Sequence, residues 1–252
     1  MKDGSVTYTI VDGLGIVEFY HEAGNSLPGQ LLDSLAKSIL EAGKDDSVRL
    51  ILLKSSGNRT FCGGASFHEL VSISDFTSGK EFFMGFAKVI NAIRTCGKIV
   101  IGRIQGKAVG GGVGLAAACD YAMASKYASI RLSELAVGIG PFVIGPAVER
   151  KMGFSAFSQL ALNPDEWQTA EWAKQKGLFT ESFETVEQLD AYIDHFIKSL
   201  MTKSPKALSE LKKVFWEGTD HWDQLLERRA EISGNLILSE EAKSAIQSFL
   251  NA

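Results

Sequence analysis

The sequence predicts an α/β core followed by a helical C-terminal part, and three observations carry that prediction. Short apolar runs alternate with helical stripes as far as Phe142. From Val143 onward nearly every segment has helical periodicity, with breaks at Gly153, Asn163-Pro164, Gly177, Ser204-Pro205 and Gly218. The 252 residues, 45% of them hydrophobic and 22% charged, suffice for one large domain or one domain plus an appendage.

The elements follow in order. Val6 to Val11 alternate, Asp12-Gly13 offers a turn, and Gly15 to Phe19 resume, which reads as a β-hairpin. Pro28 opens a helix with Leu31, Leu32, Leu35, Ile39 and Leu40 at helical spacing, and Gly43 ends it. Val48 to Leu53 is a short apolar run, a buried strand, and Ser55 to Thr60 is a polar loop. Gly79 to Cys96 carries Phe82, Phe83, Phe86, Val89, Ile90 and Ile93 on one helical stripe. Lys98 to Ile104 is a strand, a glycine cluster leads into a small helix over Val113 to Cys119, and short strands follow at Tyr121–Ala124 and Ser129–Leu132.

Composition excludes several classes of function. Net charge is −4 with no basic block or aromatic-basic stripe, so neither nucleic acid nor a membrane surface is an expected partner. Cys62, Cys96 and Cys119 are odd in number and in no ligand spacing. They read as small buried apolar residues of a protein kept in a reducing cytoplasm, without a disulfide framework or a zinc site. Met1 to Ser5 lacks a signal-peptide pattern, and the longest apolar stretch, Val109 to Cys119, is too short to cross a bilayer.

Three segments could carry chemistry. In Phe61-Cys62-Gly63-Gly64-Ala65-Ser66, two glycines let the chain turn tightly and bring amides close to a ligand; a plain strand-end turn is the alternative. In Gln105 to Leu115, the triplet Gly110-Gly111-Gly112 at a helix start exposes unpaired N–H groups. That segment suits either an anion site or close helix–strand packing. It is no P-loop, because Gly106-Lys107 is followed by Ala108, and it does not fit G-x-G-x-x-G. In Ser133 to Gly138, Glu134 lies between apolar residues. It is either a desolvated carboxylate that exchanges protons near neutral pH or a surface or capping Glu.

Together these segments resemble the crotonase (enoyl-CoA hydratase/isomerase) superfamily. The resemblance covers essentially the whole chain. It also includes Asn25-Ser26-Leu27, Cys119-Asp120, Glu134 through Ile139, Ala170 through Leu178 and Ser204-Pro205-Lys206-Ala207. It implies a spiral of ββα units and a helical C-terminal trimerisation region, with a core over residues 1–195 and an oligomerising segment over 196–252. It further implies an acyl-CoA substrate whose thioester oxygen meets the N–H groups of Ala65 and Gly111, with Gly64 and Gly110 beside them, and Glu134 as acid/base. No metal and no separate cofactor are implied, coenzyme A being part of the substrate. The assembly would be a homotrimer or a dimer of trimers.

The departures refine the expectation. Family hydratases pair a glutamate like Glu134 with a second one, three residues past the oxyanion glycine, where this chain has Gly114. A single glutamate suits isomerisation of 3-enoyl-CoA to 2-enoyl-CoA, as does Gly140-Pro141-Phe142-Val143. Hydration with a substitute residue, and non-catalytic CoA-thioester binding, are the alternatives. Ser66 replaces a mostly structural Asp. Glu22-Ala23-Gly24 lacks the basic residue that members place before Asn25, and Phe249-Leu250-Asn251-Ala252 lacks their Lys/Arg-Pro tail. Arg59 and Lys54 are the substitutes to consider for phosphate contact, His68 could sit near the CoA moiety and Glu69 near the acyl pocket, all four with a solvated surface as the alternative. Asp120 is expected to be structural, Phe82, Phe83, Met84 and Phe86 to fill the core or line the acyl pocket, and the four tryptophans to serve packing or subunit contact.

Overall fold

Alternation on either side of Asp12-Gly13 produces the expected hairpin in the structure, a computed structural model that describes residues 4–250. The expectations that rest on Met1–Asp3 and on Asn251–Ala252 lie outside the described residues. Strands β1 (Gly4–Val11) and β2 (Leu14–His21) pair antiparallel, and Asp12 and Gly13 take φ of 48° and 82°, as a two-residue hairpin turn requires.

The chain then winds through β3 (Ser26–Leu27), α1 (Gly29–Lys44), β4 (Leu50–Ser55), β5 (Thr60–Cys62), β6 (Gly64–Ala65), α2 (Phe67–Ser72) and α3 (Phe76–Thr95). Helix α3 starts ahead of the expected Gly79 because Asp75 caps it: the Asp75 carboxylate accepts from Ser78 N at 2.9 Å and Asp75 N donates to Ser78 Oγ. Such a reciprocal cap contributes about 1 kcal/mol. Next come β7 (Ile99–Ile104), β8 (Lys107–Val109), α4 (Gly111–Ala118), β9 (Tyr121–Ser125), β10 (Ser129–Arg131) and a 3₁₀ turn at Glu134–Val137. The remainder is α5 (Gly145–Leu162), β11 (Gln168–Thr169), α6 (Ala170–Gln175), β12 (Glu181–Phe183), α7 (Val186–Met201), α8 (Pro205–Phe215), α9 (Trp222–Leu236) and α10 (Glu240–Leu250). Helix α5 is broken at Gly153, where φ is 79°.

One sheet runs β1-β2-β4-β7-β9-β12 and a second runs β11-β10-β8-β5. Each ββα unit gives one strand to each sheet: β4, β7 and β9 to the first, β5, β8 and β10 to the second. This is the α/β spiral that the sequence implies. Two short strands add to the largely helical pattern expected after Val143. Strand β12 pairs parallel with β9, and β11 pairs antiparallel with β10. Both are two or three residues long and polar, so neither carries a period-two apolar signal.

The central strands β4, β7 and β9 of the long sheet are buried on both faces, as parallel strands usually are. Ile51, Leu53 and Val100 face the main core with α1 and α3, whereas Leu50, Leu52, Ile99, Ile101 and Met123 face Leu189, Ile193 and Ile197 of α7 and Leu208 of α8. A third cluster joins Leu70 and Ile139 to Ile237, Ala242 and Ile246. The division expected after residue 195 does not coincide with a break between elements. It falls inside α7, and Trp222, Leu226 and Ala230 of α9 belong to the main core. Asp120 is structural as expected: its carboxylate accepts from Val100 N, Lys212 Nζ and Trp216 Nε1 at 2.7, 2.7 and 2.8 Å, fastening α8 to the sheet.

Candidate active site

The first wall of the site begins with Asn25. Its side chain takes an amide hydrogen bond from His21 and donates to the carbonyls of Ser56 and Thr60 at 2.9 and 2.8 Å. This holds β3 beside β6. Gly64 sits at φ 92°, and a Cβ built on it would lie 2.9 Å from Val109 O, so only glycine fits between the two turns. Ser66 N donates to Leu27 O. Because successive amides of extended chain point to opposite sides, the Ala65 N–H faces away from β3. Ser66 also caps α2, its hydroxyl accepting from Glu69 N at 3.3 Å, so Ser performs the capping that an Asp would.

The second wall is the start of α4. Gly110 adopts φ 50° and ψ −115°, and Gly111 follows as the first helical residue, whose N–H has no acceptor within the helix. The position of a Cβ on Gly64 is 3.8 Å from Gly111 N, so the two glycine turns abut. Gly110 N donates to Arg131 O at 2.9 Å, tying the end of β8 to the end of β10 and bringing the turn of Glu134 alongside. A Cβ on Gly110 would stand 2.9 Å from Glu134 Oε1.

Glu134 as a residue is half-buried, but its carboxyl end is deep: Oε2 is shielded from solvent and has no hydrogen-bond partner among the described residues. Desolvation pushes its pKa up to about 7, against a smaller opposing effect from its own backbone N–H. Such a group exchanges a proton readily near neutral pH. Gly114 has no side chain, and the space is filled: a Cβ there would lie 2.5 Å from Ile144 Cγ2.

All five residues singled out from sequence, Gly64, Ala65, Gly110, Gly111 and Glu134, line one cavity of about 420 Å³. Phe82, Phe83 and Phe86 line it as well, whereas Met84 packs against the main core. Sequence reasoning missed Arg131, Ile144, Asp165 and Ser233, which also line it together with Ser133 and Phe142 of the segments singled out. A period of two back from Ser133 marks Arg131; nothing local marks Asp165 or Ser233. Several candidates go elsewhere. Glu69 accepts from Gly29 N at 2.8 Å and so caps α1. Lys54 pairs with Glu18 at 3.0 Å. His68 and Arg59 are exposed and do not line the cavity. Trp216 and Trp222 pack edge to face in the core, while Trp167 is 39% exposed. The three cysteines are free and buried, and desolvation pushes Cys62 and Cys119 up to about 12.

The profile of the family described as enoyl-CoA hydratase/isomerase matches residues 10–252. The chain belongs to the enoyl-CoA hydratase/isomerase family. Among its relatives, a probable enoyl-CoA hydratase of Bacillus subtilis is 25% identical, the match covering 98% of this chain and 95% of that protein. A peroxisomal Delta(3,5)-Delta(2,4)-dienoyl-CoA isomerase of Arabidopsis thaliana is 26% identical over 88% of this chain and 84% of its own. The crystal structure of an enoyl-CoA hydratase from Bacillus halodurans superposes with a TM-score of 0.89 at 23% identity, covering 96% of this chain and 99% of that one. The crotonase fold is thus shared throughout, and this hydratase/isomerase family of enzymes includes both chemistries in its members' names. Among the described residues, no helix is long and apolar enough to cross a membrane.

Proposed function

We propose that the protein converts 3-enoyl-CoA to 2-enoyl-CoA thioesters. The thioester oxygen docks on the N–H groups of Ala65 and Gly111. Glu134 removes a proton from C2, the resulting dienolate oxygen is held by the two amides, and Glu134 returns the proton at C4. The double bond moves from C3–C4 to C2–C3 with no net gain or loss of atoms. Each amide donor contributes about 3–4 kcal/mol to stabilising the developing oxyanion. The acyl chain extends into the apolar end formed by Leu70, Phe82, Phe83, Val137 and Ile139.

The observation that carries this reading is the setting of Glu134. Its Oε2 is shielded and has no partner among the described residues, and the place of a second acid at Gly114 is filled by Ile144. One shielded carboxyl suffices to shuttle a proton between two carbons, whereas hydration needs a held water. The purified protein is expected to convert a 3-enoyl-CoA to its 2-enoyl isomer, followed by the absorbance of the conjugated thioester, and Glu134→Gln is expected to abolish it. Undiminished turnover in that variant removes Glu134 from the mechanism.

Hydration of 2-enoyl-CoA is the second reading. The hydratase names of relatives favour it, as does Asp165, a carboxylate on the wall of the same cavity. Hydration of crotonyl-CoA faster than isomerisation would establish it. The proposal places the protein in the cytoplasm as a homotrimer or dimer of trimers. Leu211, Val214 and Phe215 on α8, 46%, 62% and 42% exposed, support a subunit contact there.

A further inference from the structure

Where the resemblance leads to a basic residue before Asn25 the chain carries Glu22-Ala23-Gly24 instead, and Lys54 is taken up by Glu18. The phosphates of a CoA thioester must find their counter-charges elsewhere. We infer that Lys107 and Arg131, gathered on Trp167, form the site that recognises the phosphate groups of the CoA handle; this rests on the acyl-CoA reading above.

Strand register puts the three side chains on one face. In the short sheet, Arg131 of β10 pairs with Val109 of β8, so Lys107, two residues before Val109, projects to the same side. On the other flank, Ile130 pairs with Gln168 of β11, which sets Trp167 across from Arg131. The Lys107 ammonium lies 4.9 Å from the centre of the Trp167 ring and the Arg131 guanidinium 4.8 Å. Cation–π attraction holds both heads on the indole.

Two like charges gathered this way need an anion. Among the described residues neither has a carboxylate within ion-pair distance. By contrast, Lys54, Arg94, Arg103 and Lys212 pair with Glu18, Asp223, Asp190 and Asp120 at 3.0, 2.9, 2.5 and 2.7 Å. Arg131 Nε is shielded from solvent and has no hydrogen-bond partner among the described residues. A buried donor left unpaired is unfavourable, so it is organised for an acceptor that arrives with the ligand. Asp165 and Glu134 share the cavity wall with Arg131 but form no ion pair with it. The position is right for a handle attached to the reacting thioester. Arg131 and Val109 line the cavity, and the Arg131 carbonyl accepts the N–H of Gly110, next to Gly111. Lys107 and Trp167 continue the same face outward. A guanidinium and an ammonium there match a phosphate or diphosphate in charge and donor count.

The test uses saturated butanoyl-CoA, which cannot isomerise or hydrate, so the result does not depend on which reaction the enzyme catalyses. Its affinity, and that of butanoyl-pantetheine, are measured by titration calorimetry for the wild type, Lys107→Gln, Arg131→Gln and the double variant. Each neutral substitution is expected to weaken butanoyl-CoA about tenfold, leave butanoyl-pantetheine unchanged and flatten the salt dependence, with Arg131→Lys retaining part of the affinity. A 3′-dephospho thioester then tells whether the 3′-phosphate or the diphosphate is contacted. Equal losses for both thioesters, or no loss for either, would overturn the assignment while leaving the acyl-CoA reading intact. A wild type that binds neither thioester would overturn both.

Discussion

Replacing Glu134 with glutamine should stabilise the protein in a pH-dependent way, because the shielding that makes the carboxyl a useful base is unfavourable to the fold. The folded value of about 7 stands above the ordinary 4.5 because of desolvation. At a pH below both values the group is protonated in either state and contributes nothing to the balance. As pH rises through the unfolded value the unfolded chain releases the proton first, and stability falls until the folded carboxyl also ionises near pH 7. Integrating that difference from about pH 5 to about pH 8 gives a loss on the order of 2–3 kcal/mol in the wild type. Glutamine has nearly the same shape and does not titrate. The gap in unfolding free energy between Glu134→Gln and wild type should therefore widen by an amount on the order of 2–3 kcal/mol over that range. For a chain of this length the corresponding widening in thermal midpoint is about 5–10 °C. Urea titrations of both proteins at the two pH values read it directly, free of any assumption about substrate. A gap that stays constant with pH would mean that the carboxyl is solvated in the folded state, and the argument for a poised base would fail with it.

Two further predictions come from neighbouring contacts. Gly114→Glu alone should be destabilised and gain no hydratase activity, since the new side chain meets Ile144 at 2.5 Å. Gly114→Glu with Ile144→Ala should recover stability and hydrate crotonyl-CoA above the wild-type rate; equal hydration by the two variants would show that Ile144 does not control the niche. Asp120→Asn should cost about 3–5 kcal/mol in urea unfolding, because Lys212, its side chain only 2% exposed, would keep a buried charge without its counter-ion; a loss below about 1 kcal/mol would refute that.

Much of this could be read from the chain because it is written locally. The hairpin at Asp12-Gly13, the stripe of α3 and the glycine triplet before α4 each follow from residues within one turn or strand of one another. What stayed hidden depends on partners distant in sequence. Strands β11 and β12 exist because β10 and β9 offer them an edge, and their own residues carry no alternation. Glu69 reads as a solvated helix residue until α1 brings the N–H of Gly29 to it across forty positions. The site shows the same limit in its most consequential detail. Gly114 announces that a side chain is missing, which leaves two opposite outcomes: an open space that holds water beside the substrate, or a filled one that excludes it. The sequence cannot choose between them, because the answer lies with Ile144, thirty residues on, at the point where α5 begins and meets α4. That no acid stands at position 114 is plain from the sequence. The case against a water in its place is made only by the methyl of Ile144 standing where the new Cβ would be.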